Sequence, residues 1–239
     1  MRELSPSLAG HYDEMYAEGR SQTWRDLGAK DKSSNIVRAW SAVANPRPPS
    51  VIEIGCGEGA VAAALAEHRF FSDYRGYDIS RSGIQQALAR SIPGAHFVRI
   101  AGSAIPAEAD SAELVVMSHV VEHLEHPRTL LLEAIRLAPW TIIEVPLELN
   151  LRTPVNYVPD ALGHINKYNA VSIRHLVQSV GFRVVHQFTT NPSLAVARFT
   201  DDSLRRSAAW SVKQLLLRAL PPIARGLFTY HETLLARRP

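Results

Sequence analysis

The sequence predicts an α/β domain built on a mostly parallel sheet, and three observations carry that prediction. From Val51 onward, strand-like apolar runs alternate with helix-like runs, the pattern of parallel βαβ units. The strand runs are too apolar for a sheet with one wet face, so both faces must be covered. The first run, Val51 to Ile54, enters a glycine-rich turn, Gly55-Cys56-Gly57-Glu58-Gly59, and an apolar helix begins directly after it. Glycine suits that turn because the chain reverses within a few residues and brings bare backbone against a ligand, which a Cβ would obstruct.

Residues 1–49 precede the first core strand and form a cap segment rich in aromatic and charged side chains. Within it a helix is expected from Asp31 or Ser33 to Val43, with Ile36, Val37, Trp40 and Val43 on one face and a stop at Asn45-Pro46-Arg47-Pro48-Pro49. One domain is expected over residues 50–239. Strand one (50–54) leads to a helix near 59–68. Strand two (74–79) leads to a helix from Ser82 to Arg90, for which Ser80 and Ser82 are suitable N-caps. Ala95 to Ile100 and Glu113 to Ser118 are strands three and four, Pro127 to Leu137 a helix, and Thr141 to Val145 strand five. Pro154 and Pro159, with Pro146 directly before the stretch, rule out a long helix between Leu147 and Pro159. A helix from near Ala170 to Gly181 and a strand from Phe182 to Phe188 follow.

Asp202 to Phe228 reads as a helical insertion, about 203–228, with a basic amphipathic helix broken at Pro221-Pro222. Its apolar stripe is Leu204, Ala208, Val212, Leu215, Leu216, Ala219 and Leu220, with Arg205, Arg206, Lys213, Arg218 and Arg225 around the remainder. Such a face suits docking on the domain, covering a cleft, or contact with an anionic membrane surface. Thr229 to Arg237 reads as the final strand.

Composition bounds the function. A chain of 239 residues supports one substantial core, and a net charge of +3 with no polybasic tail does not argue for nucleic acid, so no nucleic-acid partner is expected. The single cysteine, Cys56, excludes an internal disulfide and a thiolate metal cage and suits a reducing cytoplasm. With no basic-then-apolar start and no apolar run near the roughly 18 residues that cross a bilayer, the protein is expected to be soluble and cytoplasmic.

The glycine turn is a nucleotide-binding feature, and it leaves the cofactor open because Gly55, Gly57 and Ala60 also satisfy the dinucleotide pattern GxGxx(G/A). Asp78, at the end of strand two, can accept both hydroxyls of a ribose. Ligands on open parallel sheets bind beyond the carboxyl ends of the strands, so Gly55, Ile79, Ser103, His119 and Pro146 should converge on one crevice.

Three segments, in order and at the expected spacing, resemble one family. Glu53-Ile-Gly55-Cys-Gly57-Glu-Gly59 resembles motif I, (E/D)xGxGxG, of the class I S-adenosylmethionine-dependent methyltransferases. Leu114-Val-Val-Met-Ser-His-Val-Val-Glu-His-Leu-Glu-His-Pro127 is similar to the strand-four segment xxSxVxEHxxxP of their small-molecule branch. Trp140-Thr-Ile-Ile-Glu-Val-Pro146 falls where strand five should be. The resemblance spans roughly residues 50 to 190 and implies a Rossmann-like three-layer sandwich. Its sheet would be mostly parallel and seven-stranded, with an antiparallel edge strand made by the final strand beside strand six and a helical cap at the N-terminus. It also implies S-adenosylmethionine as cofactor and methyl transfer to an oxygen or nitrogen of a small-molecule metabolite.

The resemblance assigns Asp78 to the ribose, Ile79 to the adenine face, and the backbone near Ser118 to the methionine amine. Gly55, Cys56 and Gly57 form the turn against the cofactor, and Glu53 orders that turn and can reach the amine through water. The family usually carries an acid after strand three; here Ala101-Gly102-Ser103-Ala104 offers Ser103, with Ala104 beside it, and a hydroxyl accepts the adenine amino group without charge assistance. Tyr12, Tyr16, Trp24 and Arg25 are candidates for the methionine end, the alternative being that they staple the cap to the domain.

Gly163-His164-Ile165-Asn166-Lys167-Tyr168 resembles the family's GHxxxY/F segment, in which the histidine lies over the transferring methyl. His164 can take a proton from the acceptor, or instead cap the following helix. His119 can approach the substrate, whereas Glu122 and His123 are expected to order their loop. His119-Val-Val-Glu122-His123 also spells the HxxEH of an inverted zinc-protease helix, but it follows a buried strand of the βαβ series, and no metal is expected. Arg152, Lys167 and Arg174 point to an anionic or carboxylated acceptor. Two other readings remain: an NAD(P)-dependent oxidoreductase, and a non-catalytic cofactor-binding protein associated with a membrane.

Overall fold

The computed structural model describes residues 10, 13, 16, 22–43, 49–158, 163–199 and 202–239. Seven strands form one sheet in the order β3-β2-β1-β4-β5-β7-β6. They are β1 (Ser50–Ile54), β2 (Asp73–Asp78), β3 (Ala95–Arg99), β4 (Leu114–Ser118), β5 (Trp140–Pro146), β6 (Arg183–Thr190) and β7 (His231–Arg237). β1 pairs in parallel with β2 (Val51 opposite Tyr74) and with β4 (Ile52 opposite Val115). The final strand, β7, is antiparallel and lies beside β6 as expected, but it is not the edge: it enters between β5 and β6, with Ile142 opposite Leu235 and Phe188 opposite Thr233, and leaves β6 outermost. The chain order reverses between β1 and β4, the switch point beyond which open α/β sheets bind ligands.

Period-two alternation divides the core between the two faces of this sheet. Ile52, Ile54, Val115, Met117 and Ile143 pack on one side with Leu131 and Ile173, while Val51, Leu114, Val116 and Ile142 pack on the other with Ile36 and Leu65. Both faces are therefore dry, as the continuous apolar strands require.

The helices whose bounds are described are α1 (Gln22–Trp40), α2 (Ala60–Glu67), α3 (Arg81–Ala89), α4 (Pro127–Leu137), α5 (Ala170–Gln178), α6 (Leu194–Phe199), α7 (Leu204–Ala219) and α8 (Pro221–Leu227). Their starts are written locally. Ser80 Oγ accepts the Gly83 amide at 3.0 Å to open α3, Pro127 begins α4, and Asn169 with Ser172 forms a capping box on α5. The loop after β5 holds no helix among its described residues; the amides of Leu147 and Leu149 donate to Tyr230 and Tyr168 carbonyls instead.

Three elements differ from expectation. The cap helix α1 begins at Gln22, well before Asp31, and ends at Trp40. Its buried positions include Ala29, Ser33 and Asn35, too small or polar to show as an apolar stripe, and its early turns are held by charge instead. Helix α6 was not foreseen; Ser193 opens it, with its amide bonded to Asp31 at 2.7 Å. In α7 the docked face keeps only Leu216 of the expected stripe. Trp210 Nε1 donates to the Pro192 carbonyl and Lys213 to the Thr229 carbonyl, so Leu216 and Leu217 turn inward while Leu204, Val212 and Leu215 stay exposed. No helix among the described residues is long and apolar enough to cross a membrane.

Candidate active site

The glycine turn is built on three left-handed residues, Gly55, Gly57 and Gly59, with φ of 80°, 51° and 73°. At such angles a side chain is strained, which is the physical reason for glycine at each. The turn is stitched to the end of β2: the amides of Gly55 and Cys56 both donate to the Tyr77 carbonyl, at 2.7 and 3.2 Å. Asp78 completes the joint. Its Oδ2 accepts the Gly57 amide at 2.7 Å and its Oδ1 the Ser80 amide at 2.8 Å, so two backbone donors fix the carboxylate in place. Burial pushes its pKa up, and those two amides oppose the shift.

The cap closes over this joint through polar contacts. Asp13 Oδ1 accepts the Ser80 hydroxyl at 2.7 Å. Arg25 pairs with the buried Glu58 at 2.8 Å and lies over the Tyr16 ring at 5.2 Å, and Arg90 reaches both Glu58 and Asp26. A Cβ on Gly57 would meet the Tyr16 hydroxyl, so Tyr16 rests directly on the glycine backbone. Tyr12 lies outside the described residues.

One cleft of about 380 Å³ opens at the carboxyl ends of the strands, large enough for a small ligand. Gly55, Asp78, Ile79 and Ser103 line one end, His119, Glu148, His164 and His231 the other, with Tyr16, Trp24, Arg25 and Lys32 supplied by the cap. The structure thus brings together nine expected residues: Tyr16, Trp24, Arg25, Gly55, Asp78, Ile79, Ser103, His119 and His164. Pro146 joins them on the wall.

Other expected residues stand off the cleft wall. Glu53 is buried in the core, where the Tyr74 hydroxyl donates to its carboxyl and burial raises its pKa to about 7; its side chain is spent inward. Cys56 is buried, packed so closely under Gly76 that a Cβ there would strike its Sγ, and burial pushes its thiol pKa well up. Gly57 lies beneath Tyr16, and Ala104 is exposed beyond the wall. Ser118 directs its hydroxyl to Glu144 at 3.3 Å. The three basic residues expected near the cleft do not line it: Arg152 stacks over Phe228 at 4.9 Å, and Arg174 bonds Gln187 at 2.9 Å. Lys32 of α1 is the lysine on the wall.

At the far end His164 Nδ1 sits 2.9 Å from Glu148 Oε2, and the His123 ring packs edge-on against the His164 ring at 4.7 Å. His119 adopts a left-handed φ of 59°, a strained conformation for a side-chain-bearing residue, and its amide bonds the Glu144 carbonyl at 2.8 Å. Its imidazole lies between two buried carboxyls, Nδ1 at 3.4 Å from Glu122 Oε1 and Nε2 at 3.5 Å from Glu144 Oε1. Burial lowers the His119 pKa well below the usual value and that of His231 to about 3, and raises that of Glu122 to about 7. Sequence reasoning missed Lys32, Glu144, Glu148 and His231. Glu144 carried a signal, a lone carboxylate near the end of an apolar strand; His231 reaches the site only through pairing opposite Pro146, a register that one strand does not reveal.

Residues 21–187 match the model of a protein family described as a methyltransferase domain. The sequence has no match among curated proteins. Solved structures share the fold. A chain from the complex of the Haloferax volcanii Trm112 methyltransferase activator with a methyltransferase has a TM-score of 0.66 at 20% identity, over 95% of this chain and 98% of that one. Magnesium protoporphyrin IX methyltransferase from Synechocystis PCC 6803 has a TM-score of 0.58 at 17% identity, over 90% and 86%. The cyclase SpnF has a TM-score of 0.61 at 14% identity, over 88% and 81%. The family match covers most of the chain: the protein belongs to this methyltransferase-domain family and is an S-adenosylmethionine-dependent methyltransferase.

Proposed function

We propose that the chain transfers the methyl group of S-adenosylmethionine to an oxygen or nitrogen of a small, anionic acceptor. The observation that supports this reading best is the single cleft joining the glycine turn and Asp78 to the His164–Glu148 pair. The residues at the first end suit an adenosine. Asp78 is a fixed carboxylate for the ribose hydroxyls, Ile79 offers an apolar face to adenine, and Ser103 a hydroxyl to its edge. S-adenosylmethionine supplies an electrophilic methyl group on a sulfonium, and the remaining work is positioning and exclusion of water.

His164 is the proposed proton acceptor. With Nδ1–H donated to Glu148, the ring is held in the tautomer whose Nε2 keeps its lone pair, the arrangement a general base needs. Lys32 on the cleft wall favours an acceptor with negative charge. No observation favours a dinucleotide oxidoreductase: β7 enters between β5 and β6, unlike the doubly wound order of that class. Equilibrium dialysis of the full chain against labelled S-adenosylmethionine and labelled NAD separates the readings, followed by methyl labelling of fractionated metabolites. The expected result is one bound S-adenosylmethionine, no bound NAD and label in a low-molecular-weight anionic fraction. Label confined to protein or RNA would overturn the acceptor class.

A further inference from the structure

Beside the proposed base, a second constellation lies on three adjacent, backbone-paired strands. His119 directly follows β4, Glu144 lies in β5 and His231 begins β7; Glu144 pairs with Ser118 and Thr233, and His231 with Pro146. One ligand atom from each lies within 4.8 Å of the others. His119 Nε2 and His231 Nδ1 face the same oxygen, Glu144 Oε1, at 3.5 and 3.9 Å. Those separations are long for hydrogen bonds, and both buried nitrogens lack a hydrogen-bond partner among the described residues. They are close to the spacing of about 3.4 Å between two ligands held at about 2.1 Å around one tetrahedral ion.

The surroundings complete the pattern. Glu144 is oriented by donors, Asn35 Nδ2 at 2.7 Å and Thr233 Oγ1 at 2.9 Å on Oε2, and Ser118 Oγ at 3.3 Å on Oε1. Behind His119, on its Nδ1 side, is Glu122, fully buried, with neither carboxyl oxygen in a hydrogen bond among the described residues. A carboxylate behind an imidazole is the usual outer partner of a metal-ligating histidine, because it fixes the tautomer and raises ligand basicity. Two imidazole nitrogens with one carboxylate oxygen, opening on the cleft, match the donor set of a borderline divalent transition ion such as Zn²⁺, with a position left for an exogenous oxygen.

We propose that His119, Glu144 and His231 hold a divalent transition-metal ion at the cleft wall, with Glu122 as positioning residue for His119. This departs from the expectation of no metal, which weighed the HxxEH motif against its place after a buried strand; of that motif His119 is a ligand, and the other two ligands come from neighbouring strands. Resting on the methyl-transfer reading above, the ion's role is to bind an acceptor oxygen and favour its anionic form beside the methyl donor, while His164 receives the proton. The inner trio is fixed by strand register, whereas Glu122, His123 and His164 form a second trio within the same 4.8 Å that includes a loop residue.

The test is titration of the chelator-stripped full chain with Co²⁺, read by its visible ligand-field bands, and with Zn²⁺, read by calorimetry. The expected result is one equivalent bound, with affinity falling at least about 100-fold in His231→Ala and about 10-fold in Glu122→Gln, and unchanged in the exposed-site control His126→Ala. His119→Asn gives a second ligand variant should His231→Ala fold poorly. Absence of stoichiometric binding, or equal affinity in wild type and both ligand variants, overturns the proposal. Loss in Glu122→Gln with His231→Ala and His119→Asn intact moves the ion to the second trio and also overturns it. S-adenosylmethionine binding measured on the same stripped samples keeps the two readings apart: a chain that binds the cofactor but no ion refutes the metal site alone.

Discussion

His164 and Glu53 show how burial and one neighbour decide what an ionisable side chain can do. His164 is 5% exposed, and Glu148 holds its Nδ1, so the base function resides in Nε2. His164→Ala is expected to lower kcat about 100-fold or more while leaving S-adenosylmethionine affinity within about twofold, and Glu148→Gln to lower it about 10-fold; steady-state kinetics with calorimetry for the cofactor checks both. Unchanged turnover in His164→Ala sinks the base assignment. Glu53 is the opposite case. Its carboxyl titrates near 7 in the fold, against 4.5 for the ordinary group, because burial disfavours the charge more than the Tyr74 hydroxyl restores it. The folded state therefore holds the proton more tightly, and this contribution is complete below pH 4.5 and lost as pH rises through 7. Integrated over that window the loss is about 3 kcal/mol. Glu53→Gln, which cannot ionise, should match wild type in urea unfolding at pH 4.5 and be more stable at pH 8, without cofactor. Equal stability at pH 8 contradicts the assigned shift.

At the scale of elements, the strands and the sheet-bound helices were legible and the cap was not. β1, β4 and β5 are mostly apolar runs, interrupted by Glu53 in β1 and by Thr141 and Glu144 in β5, and α4 spans the expected residues because Pro127 marks its start and an apolar face continues to Leu137. Helix α1 buries Ala29, Ser33, Asn35, Ile36, Ala39 and Trp40, a face on which only Ile36 and Trp40 are large and apolar, so apolar periodicity reported only its second half. What anchors α1 is long-range: Asn35 donates to Glu144 at 2.7 Å and to Thr190 at 3.0 Å, joining the helix to β5 and β6. Asn35→Ala removes one donor from a buried carboxylate and should cost about 1–3 kcal/mol in urea unfolding. A change under about 0.5 kcal/mol would show that the Asn35 amide does not anchor the helix.

Across the whole molecule, one end of the candidate site was legible and the other only in part. The glycine turn and Asp78 are local signals joined by one βαβ unit, and the structure places their carboxylate and backbone together through the Gly57 amide. His119 and His164 could be named from local motifs, but Glu144, Glu148 and His231 meet them only because β7 inserts between β5 and β6 and the loop after β5 folds back; such pairings are invisible to periodicity. Glu53 was misplaced for the reverse reason, since motif position does not reveal that Tyr74 on β2 captures the carboxyl inside the core. The central claim is that an adenosine sits against this turn with its ribose on Asp78. Calorimetric titration of S-adenosylmethionine into wild type and Asp78→Ala, with circular dichroism confirming both folded, tests it most directly. The account predicts one site in wild type and at least about 30-fold weaker binding in the variant; equal affinity in the two would contradict it.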